Sequence, residues 1–305
     1  MVLLVERLSK FCSKLENRLH PHHEPEALQA SLQAFKSDVS ICLNQLTPNS
    51  KPGSEFPSFS WIQRCFGILP VINKAFAKLV VDIDFPISKW EAASAEEYLN
   101  YSLSLLELLN SISSSISHLG QARLALSHAL GLVENSRSLA IERLNAIKIK
   151  KSAVKDFREP ENRGDGIETS FSDREKVVHQ ALRELKSIGI WVCGVLLAGL
   201  SGDAKPYLEK RKPGEFANSA LSSLDSSICE IIKEKGGVLK EVRELNDSVG
   251  CLAVAGESSE GTEKLRRRLE VFEKMLDSLG KEVDHLFSKL LAGRNELLGG
   301  IQKQN

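Results

Sequence analysis

An uncharged run from Ile188 to Leu200, IGIWVCGVLLAGL, constrains the fold more than any other stretch of this chain. Its thirteen residues make about 20 Å of α-helix, whereas the hydrocarbon core of a bilayer is about 30 Å thick. A helix that is apolar on every side is expected at the centre of a large bundle. We therefore predict a buried helix, in which Gly194 and Ala198, one turn apart, let a neighbour approach closely. Membrane insertion is the alternative.

The C-terminal region has the most regular periodicity in the sequence. Its apolar residues alternate steps of four and three and form a heptad seam: Leu265, Leu269, Phe272, Leu276, Leu279, Val283, Leu286 and Leu290. Helical periodicity recurs along the chain, and no strand-like run with turn signals competes with it. The predicted fold class is all-α, a bundle of long amphipathic helices with one central apolar helix. Periodicity does not distinguish a seam packed inside the chain from one packed against a second chain.

Capping patterns predict where several helices begin. Three serines are each followed three residues later by Glu or Gln, as in a capping box: Ser60 with Gln63, Ser94 with Glu97, and Ser172 with Glu175. Pro70 is expected to kink the helix that follows Ser60. Gly120 is expected to loosen or end the helix that follows Ser94.

The positions of proline, glycine and serine suggest how the chain is divided. We predict an N-terminal helical pair at 1–47, a linker at 48–59 and a helical bundle at 60–300. Flexible loops are predicted at about 158–171, 201–213 and 250–262. The N-terminal segment begins with only four apolar residues before Glu6, so we interpret it as an amphipathic helix and not as a secretory signal.

Composition excludes some functions and favours others. Lys plus Arg equals Asp plus Glu at 40 each, which argues against nucleic acid as a partner, because phosphate binding needs a basic excess or face. Six scattered cysteines without a CxxC pair indicate reduced thiols in a cytosolic compartment. The chain contains no GxxxxGK[ST], GxGxxG or GxSxG motif. We therefore expect no enzymatic activity and no cofactor.

Two basic clusters are the candidate contacts for a protein partner or an anionic lipid surface. They consist of Lys148, Lys150, Lys151 and Lys155, and of Arg266, Arg267 and Arg268. A solvated helix face is the ordinary interpretation of such clusters. A third segment, HPHHEPE, places His20, His22 and His23 beside Glu24 and Glu26. It contains ligand types for a metal but no recognised ligand spacing, so we expect a polar turn and no metal site.

Several segments resemble the BYPASS (BPS-like) proteins of land plants. They are the helix that opens with SWIQRCFG, the PISKW segment ending at Trp90, the small-residue run IWVCGVLLAGLSG and the C-terminal EVDHLFSKLLAGRNELL. The resemblance extends from about residue 55 to residue 300, and its motifs are structural. The N-terminal part looks shorter than in members with a leader rich in proline and phenylalanine.

The resemblance implies a non-enzymatic regulator of plant development. Family members are associated with normal root and shoot growth, through restraint of a mobile root-derived signal. No enzymatic activity, cofactor or functional residue is implied for this chain. We expect unidentified protein partners, and a protein that is cytoplasmic or peripheral to a membrane; plastid targeting is less expected. The alternatives are a membrane-trafficking or peripheral membrane factor, and an enzyme acting on a small carotenoid-related signal.

Overall fold

The computed structural model describes residues 24–47, 57–133, 139–140, 143–144, 171–210, 216–235, 237–255 and 259–302. These residues form eight α-helices and one short 3-10 helix, at Ile87–Lys89. The α-helices are α1 (Glu24–Asn44), α2 (Phe59–Asp82), α3 (Ala92–Gly131), α4 (Asp173–Ser201), α5 (Lys205–Lys210), α6 (Ser219–Lys235), α7 (Lys240–Ala255) and α8 (Ser259–Gln302). The described ranges contain no strand, and the predicted all-α fold class is confirmed.

One of the three predicted helix starts is confirmed. Ser172 is the N-cap of α4, and its hydroxyl accepts a hydrogen bond from the Glu175 N–H at 3.2 Å. The prediction for Ser60 was wrong: the N-cap of α2 is Ser58, two residues earlier, whose hydroxyl accepts from the Trp61 N–H, and Ser60 lies inside the helix. The prediction for Ser94 was also wrong, since α3 begins at Ala92 and Ser94 is buried inside the helix.

Neither Pro70 nor Gly120 ends its helix, and the kink expected at Pro70 stays a prediction. α2 continues across Pro70, which faces solvent while Leu69 and Ile72 on either side are buried. α3 continues across Gly120 as one helix of 40 residues. In both cases the burial of flanking apolar residues outweighs a local preference of about 1 kcal/mol for Gly and about 3 kcal/mol for Pro.

Two of the predicted loops contain helix. Within 201–213, α5 forms a short helix, and its Tyr207 hydroxyl donates a hydrogen bond to Asp225 on α6. Within 250–262, the end of α7 and the start of α8 are helical, so the prediction was too long at both ends. Residues 158–170 of the third predicted loop lie outside the described residues. Tertiary contacts therefore extend helices into segments that are polar and glycine-rich in sequence.

The apolar run lies inside the protein. From Ile188 to Leu200 every residue is buried except Ile190, which is half-buried. α4 packs against α1, α2, α3 and α5, and it ends where Gly202 adopts a left-handed conformation with φ of 62°. Among the described helices, α4 is long and apolar enough to cross a membrane. However, 83% of its most apolar 18-residue segment is buried by the other helices. The prediction of a central apolar helix is confirmed.

Two glycines on α4 allow close packing, while Gly194 and Ala198, the predicted pair, are both buried and their role stays a prediction. A Cβ built on Gly189 would overlap the Tyr101 hydroxyl of α3 and lie 3.0 Å from its Cε2. A Cβ on Gly199 would lie 3.1 Å from Cδ1 of Ile62 on α2. These two glycines are ten residues apart in sequence, so α3 and α2 pack against different parts of α4.

The heptad seam is filled from within the chain. All eight of its residues are buried, and α8 packs against α3, α7 and α2. Phe272 of the seam meets Phe59 of α2 edge to face, with ring centroids 5.4 Å apart. Arg294 near the end of α8 donates to Ser102 on α3 at 2.9 Å. The periodicity therefore reflects an intramolecular interface.

We predict that this core resists tyrosine ionisation until it unfolds. Burial raises the pKa of Tyr98 and that of the Cys193 thiol from their ordinary values to about 12. Burial also raises the pKa of Tyr101, and burial together with the neighbouring Asp225 carboxylate raises that of Tyr207. Tyr98, Tyr101 and Tyr207 are the three tyrosines of the chain. The folded state keeps protons that the unfolded chain releases, so this contribution to stability is complete below pH 9, the ordinary pKa of the thiol, and is lost as pH rises through 9 and 10 towards 12.

The measurement is the tyrosinate absorbance at 295 nm, followed with far-UV circular dichroism against pH. At pH 10 a free tyrosine is about half ionised, whereas the folded protein is expected to show less than about a tenth of the full signal. As the pH is raised further, the tyrosinate absorbance should increase over the same pH range in which the helical signal is lost. The urea-unfolded chain is the control. Half-ionised tyrosines at pH 10 with the helical signal intact would contradict the described burial.

Candidate functional site: a groove between α2, α7 and α8

A groove of about 410 Å³ lies where the N-terminus of α2 meets α7 and α8. Such a volume is within the range of about 300–1,000 Å³ that is usual for binding sites. Its lining mixes charged and apolar side chains: Ser58, Ser60, Lys240, Glu241, Glu244, Leu245, Arg267, Arg268, Val271, Phe272 and Met275. Two residues of the predicted arginine cluster therefore lie at this groove.

The side of the groove formed by α2 is held in place by contacts between residues that are distant in sequence. The Lys240 N–H donates to the Pro57 carbonyl oxygen at 2.8 Å, which places the first turn of α7 beside that of α2. The Glu241 carboxylate then accepts from the Phe59 N–H, at 3.1 Å and 3.2 Å for its two oxygens. Burial raises the pKa of Glu241. This carboxylate satisfies an unpaired N–H at the α2 N-terminus and is favoured there by the helix dipole.

The three arginines of the predicted cluster have different roles. Arg266 and Arg267 both pair with Glu263 on their own helix, at 3.7 Å and 3.0 Å, and the Arg267 side chain is 75% exposed. Arg268 instead turns to α7, donating to the Glu244 carbonyl oxygen at 2.7 Å and to the Ser248 hydroxyl. Arg268 therefore joins two helices, while Arg266 and Arg267 remain at the surface.

This difference predicts different costs of substitution. Arg268→Ala removes the guanidinium hydrogen bonds to the Glu244 carbonyl oxygen and the Ser248 hydroxyl, although that hydroxyl still donates to the same carbonyl at 2.8 Å. Hydrogen bonds from a charged donor are worth about 1.5–3 kcal/mol, so we expect the free energy of unfolding to fall by about 2 kcal/mol. Arg267→Ala removes only an exposed ion pair and should change it by less than about 0.5 kcal/mol. Urea denaturation followed by circular dichroism measures both. Equal effects of the two substitutions would show that the contacts of Arg268 do not hold α7 against α8.

The apolar part of the groove is partly open to solvent. Leu245 and Phe272 are buried, Met275 is half-buried, and Val271 is 51% exposed. Val271 therefore offers one exposed apolar side chain within a concave surface. The flexible, polarisable methionine side chain adapts to varied partners. The groove can therefore bind apolar side chains and contact charges at its rim.

The other predicted site residues are not tested by the structure. Lys148, Lys150, Lys151 and Lys155 lie outside the described residues, as do His20, His22 and His23. Within the described ranges, no group of three or more His, Cys, Asp or Glu side chains is arranged to hold a metal ion.

A buried polar cluster was missed by the analysis of the sequence. Asp225 on α6 is 1% exposed and accepts hydrogen bonds from the Trp191 indole N–H at 3.1 Å and from the Tyr207 hydroxyl. The Cys229 thiol lies 3.9 Å from the same oxygen. One carboxylate thus joins the central helix α4 to α5 and α6. The surrounding sequence, SSLDSSICE, is typical of a polar helix, and only its position on the Leu221, Leu224 and Ile228 face could have signalled burial.

Comparison with known proteins identifies relatives of this chain. The family model described as Protein BPS1 matches residues 87–299. "UPF0496 protein 4" of Oryza sativa subsp. japonica is 25% identical, in an alignment covering 92% of this chain and 67% of the rice protein. The indica protein of the same name is also 25% identical, with 86% and 63% covered, so the chain spans about two thirds of the rice relatives.

A third relative is "Protein BPS1, chloroplastic" of Arabidopsis thaliana. It is 26% identical over 89% of this chain and 83% of its own length. Its name does not fit the expectation of a cytoplasmic protein, which therefore stays a prediction. No solved structure matches the chain significantly. Since the family model covers more than half of the sequence, the expected resemblance is confirmed, and this chain belongs to the Protein BPS1 family.

Proposed function

We propose that this protein is a non-enzymatic regulator of plant root and shoot development that acts by binding a partner protein through the α2–α7–α8 groove. The groove is the observation that carries the proposal, because it combines an exposed apolar side chain with charged residues from two helices. Membership of the BPS1 family supports a role in plants, and the names of the family and its relatives specify no reaction. As the resemblance to BYPASS proteins implies, the proposed role is to restrain a mobile root-derived signal.

The experiment compares two substitutions of similar exposure. Val271→Asp places a carboxylate in the groove, while Leu124→Asp, at a position 56% exposed on α3, places one outside it. Each variant is expressed in a plant line whose own copy of the gene is inactivated, and root and shoot lengths are measured. We expect wild-type protein and Leu124→Asp to restore growth and Val271→Asp to fail, at equal protein levels. Full restoration by Val271→Asp would exclude the groove from the function.

The proposal includes a location in the cytoplasm or at a membrane surface. The burial of α4 supports a peripheral over an inserted state, since its apolar side chains already have protein neighbours. A fluorescent fusion of the full chain tests the compartment, and carbonate washing of membranes tests insertion. Fluorescence confined to plastids, or protein retained after washing, would overturn this part of the proposal and leave the groove untouched.

A further inference from the structure

The solvent-facing side of α2 carries a line of exposed residues that the other described helices leave uncovered. Its members follow one another in alternating steps of four and three, so they share one side of the helix. We call this line the α2 ridge: Ser60, Arg64, Gly67, Val71, Lys74 and Lys78. Between Arg64 and Lys78 it is about 21 Å long, at roughly 1.5 Å of rise per residue.

All three charges on the α2 ridge are positive. Arg64, Lys74 and Lys78 are exposed, and within the part of the chain that the structure describes none of them forms an ion pair. Asp82, one turn beyond Lys78, is the only acid of α2. Glu282 of α8 accepts a hydrogen bond from the second turn of α2 at 3.2 Å, away from Lys74 and Lys78. An anionic partner therefore meets cations that no carboxylate already holds.

The other long exposed helix faces have a different charge pattern. The exposed carboxylates of α3, Glu96 and Glu107, have no exposed Lys or Arg beside them on that helix. The exposed charges along the middle of α8 alternate in sign: Glu270, Lys274, Asp277, Lys281 and Asp284. The α2 ridge is therefore a local basic surface on a chain without net charge. Its cations are ten and four positions apart, so no run of basic residues marks them in the sequence.

The shape of the α2 ridge favours a flat partner. It is the outer side of a helix, and the groove takes from α2 only its first turn, at Ser58 and Ser60. A Cβ built on Gly67 has no neighbour within 4 Å, so the middle of the ridge is open. Val71, 50% exposed, is the one large hydrophobic side chain that α2 exposes. One such side chain is too little for the apolar core of a protein interface, whereas a lipid surface attracts separate Lys and Arg side chains by its diffuse negative charge.

We propose that the α2 ridge is a contact surface for a membrane that contains anionic lipids. The long Arg64, Lys74 and Lys78 side chains reach the lipid phosphates, and Val71 enters the headgroup region between them. The opposite side of α2 stays in the protein core, so the helix lies on the membrane without entering it. The inference rests on the proposed location at a membrane surface and is independent of the groove.

The experiment is sedimentation of the full chain with lipid vesicles at low salt. The vesicles contain either phosphatidylserine with phosphatidylcholine or phosphatidylcholine alone. The ridge variant combines Arg64→Gln, Lys74→Gln and Lys78→Gln. The control variant combines Lys274→Gln, Lys281→Gln and Lys289→Gln, which also removes three exposed cations but from α8. The two variants therefore have the same net charge, and circular dichroism checks that both are folded.

We expect the wild-type protein to bind the phosphatidylserine vesicles, to ignore phosphatidylcholine alone and to be released as salt rises. The ridge variant should bind at least about tenfold more weakly, and the control variant should bind within about twofold of wild type. Absence of wild-type binding, or equal losses in the two variants, would overturn the inference. A glutamate-rich helical peptide is the second probe. If the peptide binds at the ridge and the vesicles do not bind, the partner is an acidic protein and the inference is wrong.

This inference and the proposed function fail separately. Val271→Asp lies outside the α2 ridge and should leave vesicle binding unchanged. If the vesicles do not bind but Val271→Asp still abolishes growth restoration, only the lipid contact is wrong. If the vesicles bind through the ridge but Val271→Asp restores growth, the lipid contact stands and the role of the groove is wrong.

Discussion

Gly189→Val should lower the free energy of unfolding by at least about 3 kcal/mol, because the Tyr101 side chain of α3 packs directly against Gly189 of the central helix. A Cβ at this position overlaps the Tyr101 hydroxyl and lies 3.0 Å and 3.1 Å from two carbons of the same ring. Tyr101 is itself 1% exposed, so its ring cannot swing into solvent to make room. Urea denaturation followed by circular dichroism is the measurement, and Gly189→Ala provides a milder variant if the valine protein does not fold.

Gly67→Val is the matched control. Gly67 is also inside a helix, but it is exposed on α2 and a Cβ built there has no neighbour within 4 Å. Its substitution should change stability by less than about 1 kcal/mol. Tyr101→Phe removes the nearest atom and leaves the ring, so it should recover part of the loss in a double variant with Gly189→Ala. A Gly189→Val protein as stable as the Gly67→Val protein would show that α3 does not pack on α4 as described.

Asp225→Ala should cost about 4 kcal/mol, the largest effect we expect from removing one polar group. Asp225 is the acceptor for the Trp191 indole and the Tyr207 hydroxyl, and both donors are held by buried or half-buried side chains. Removing the acceptor leaves two donors without their bond, at about 1–3 kcal/mol each. The free energy of unfolding and the quenching of tryptophan fluorescence by acrylamide measure the loss of stability and the opening around Trp191.

Asp277→Ala, at an exposed position on α8, controls for the loss of a carboxylate and should have almost no effect. Tyr207→Phe should cost about 1–2 kcal/mol in the wild-type background and close to nothing once Asp225 has been replaced. Additive effects of Tyr207→Phe and Asp225→Ala would mean that the two residues are not coupled. In that case α5 would be held against α6 by apolar contacts alone.

The features predictable from the sequence are those set by local periodicity and length. The uncharged run at 188–200 is shorter than a bilayer core and apolar on every side, and these two properties together predicted a buried helix. The seam of α8 followed from its alternating steps of four and three. The N-cap at Ser172 was also predictable, because its partner lies three residues along the same helix.

The features that could not be predicted depend on contacts between distant residues. The Phe59 N–H at the start of α2 bonds the Glu241 carboxylate, which is 182 positions away in sequence, so no local pattern could show this contact. The three arginines at 266–268 look alike in sequence, and only the position of α7 separates Arg268 from its neighbours. The groove itself is formed by three helices that no local motif brings together.

The central claim is that the chain's own helices shelter the apolar segment of α4. Hydrogen–deuterium exchange of the peptide covering residues 188–200, in buffer without detergent or lipid, tests this most directly. The described packing predicts that these amides exchange only through global unfolding, at the slowest rates in the protein, and that adding lipid vesicles changes nothing. Rapid exchange in buffer that becomes slow only when vesicles are added would contradict it.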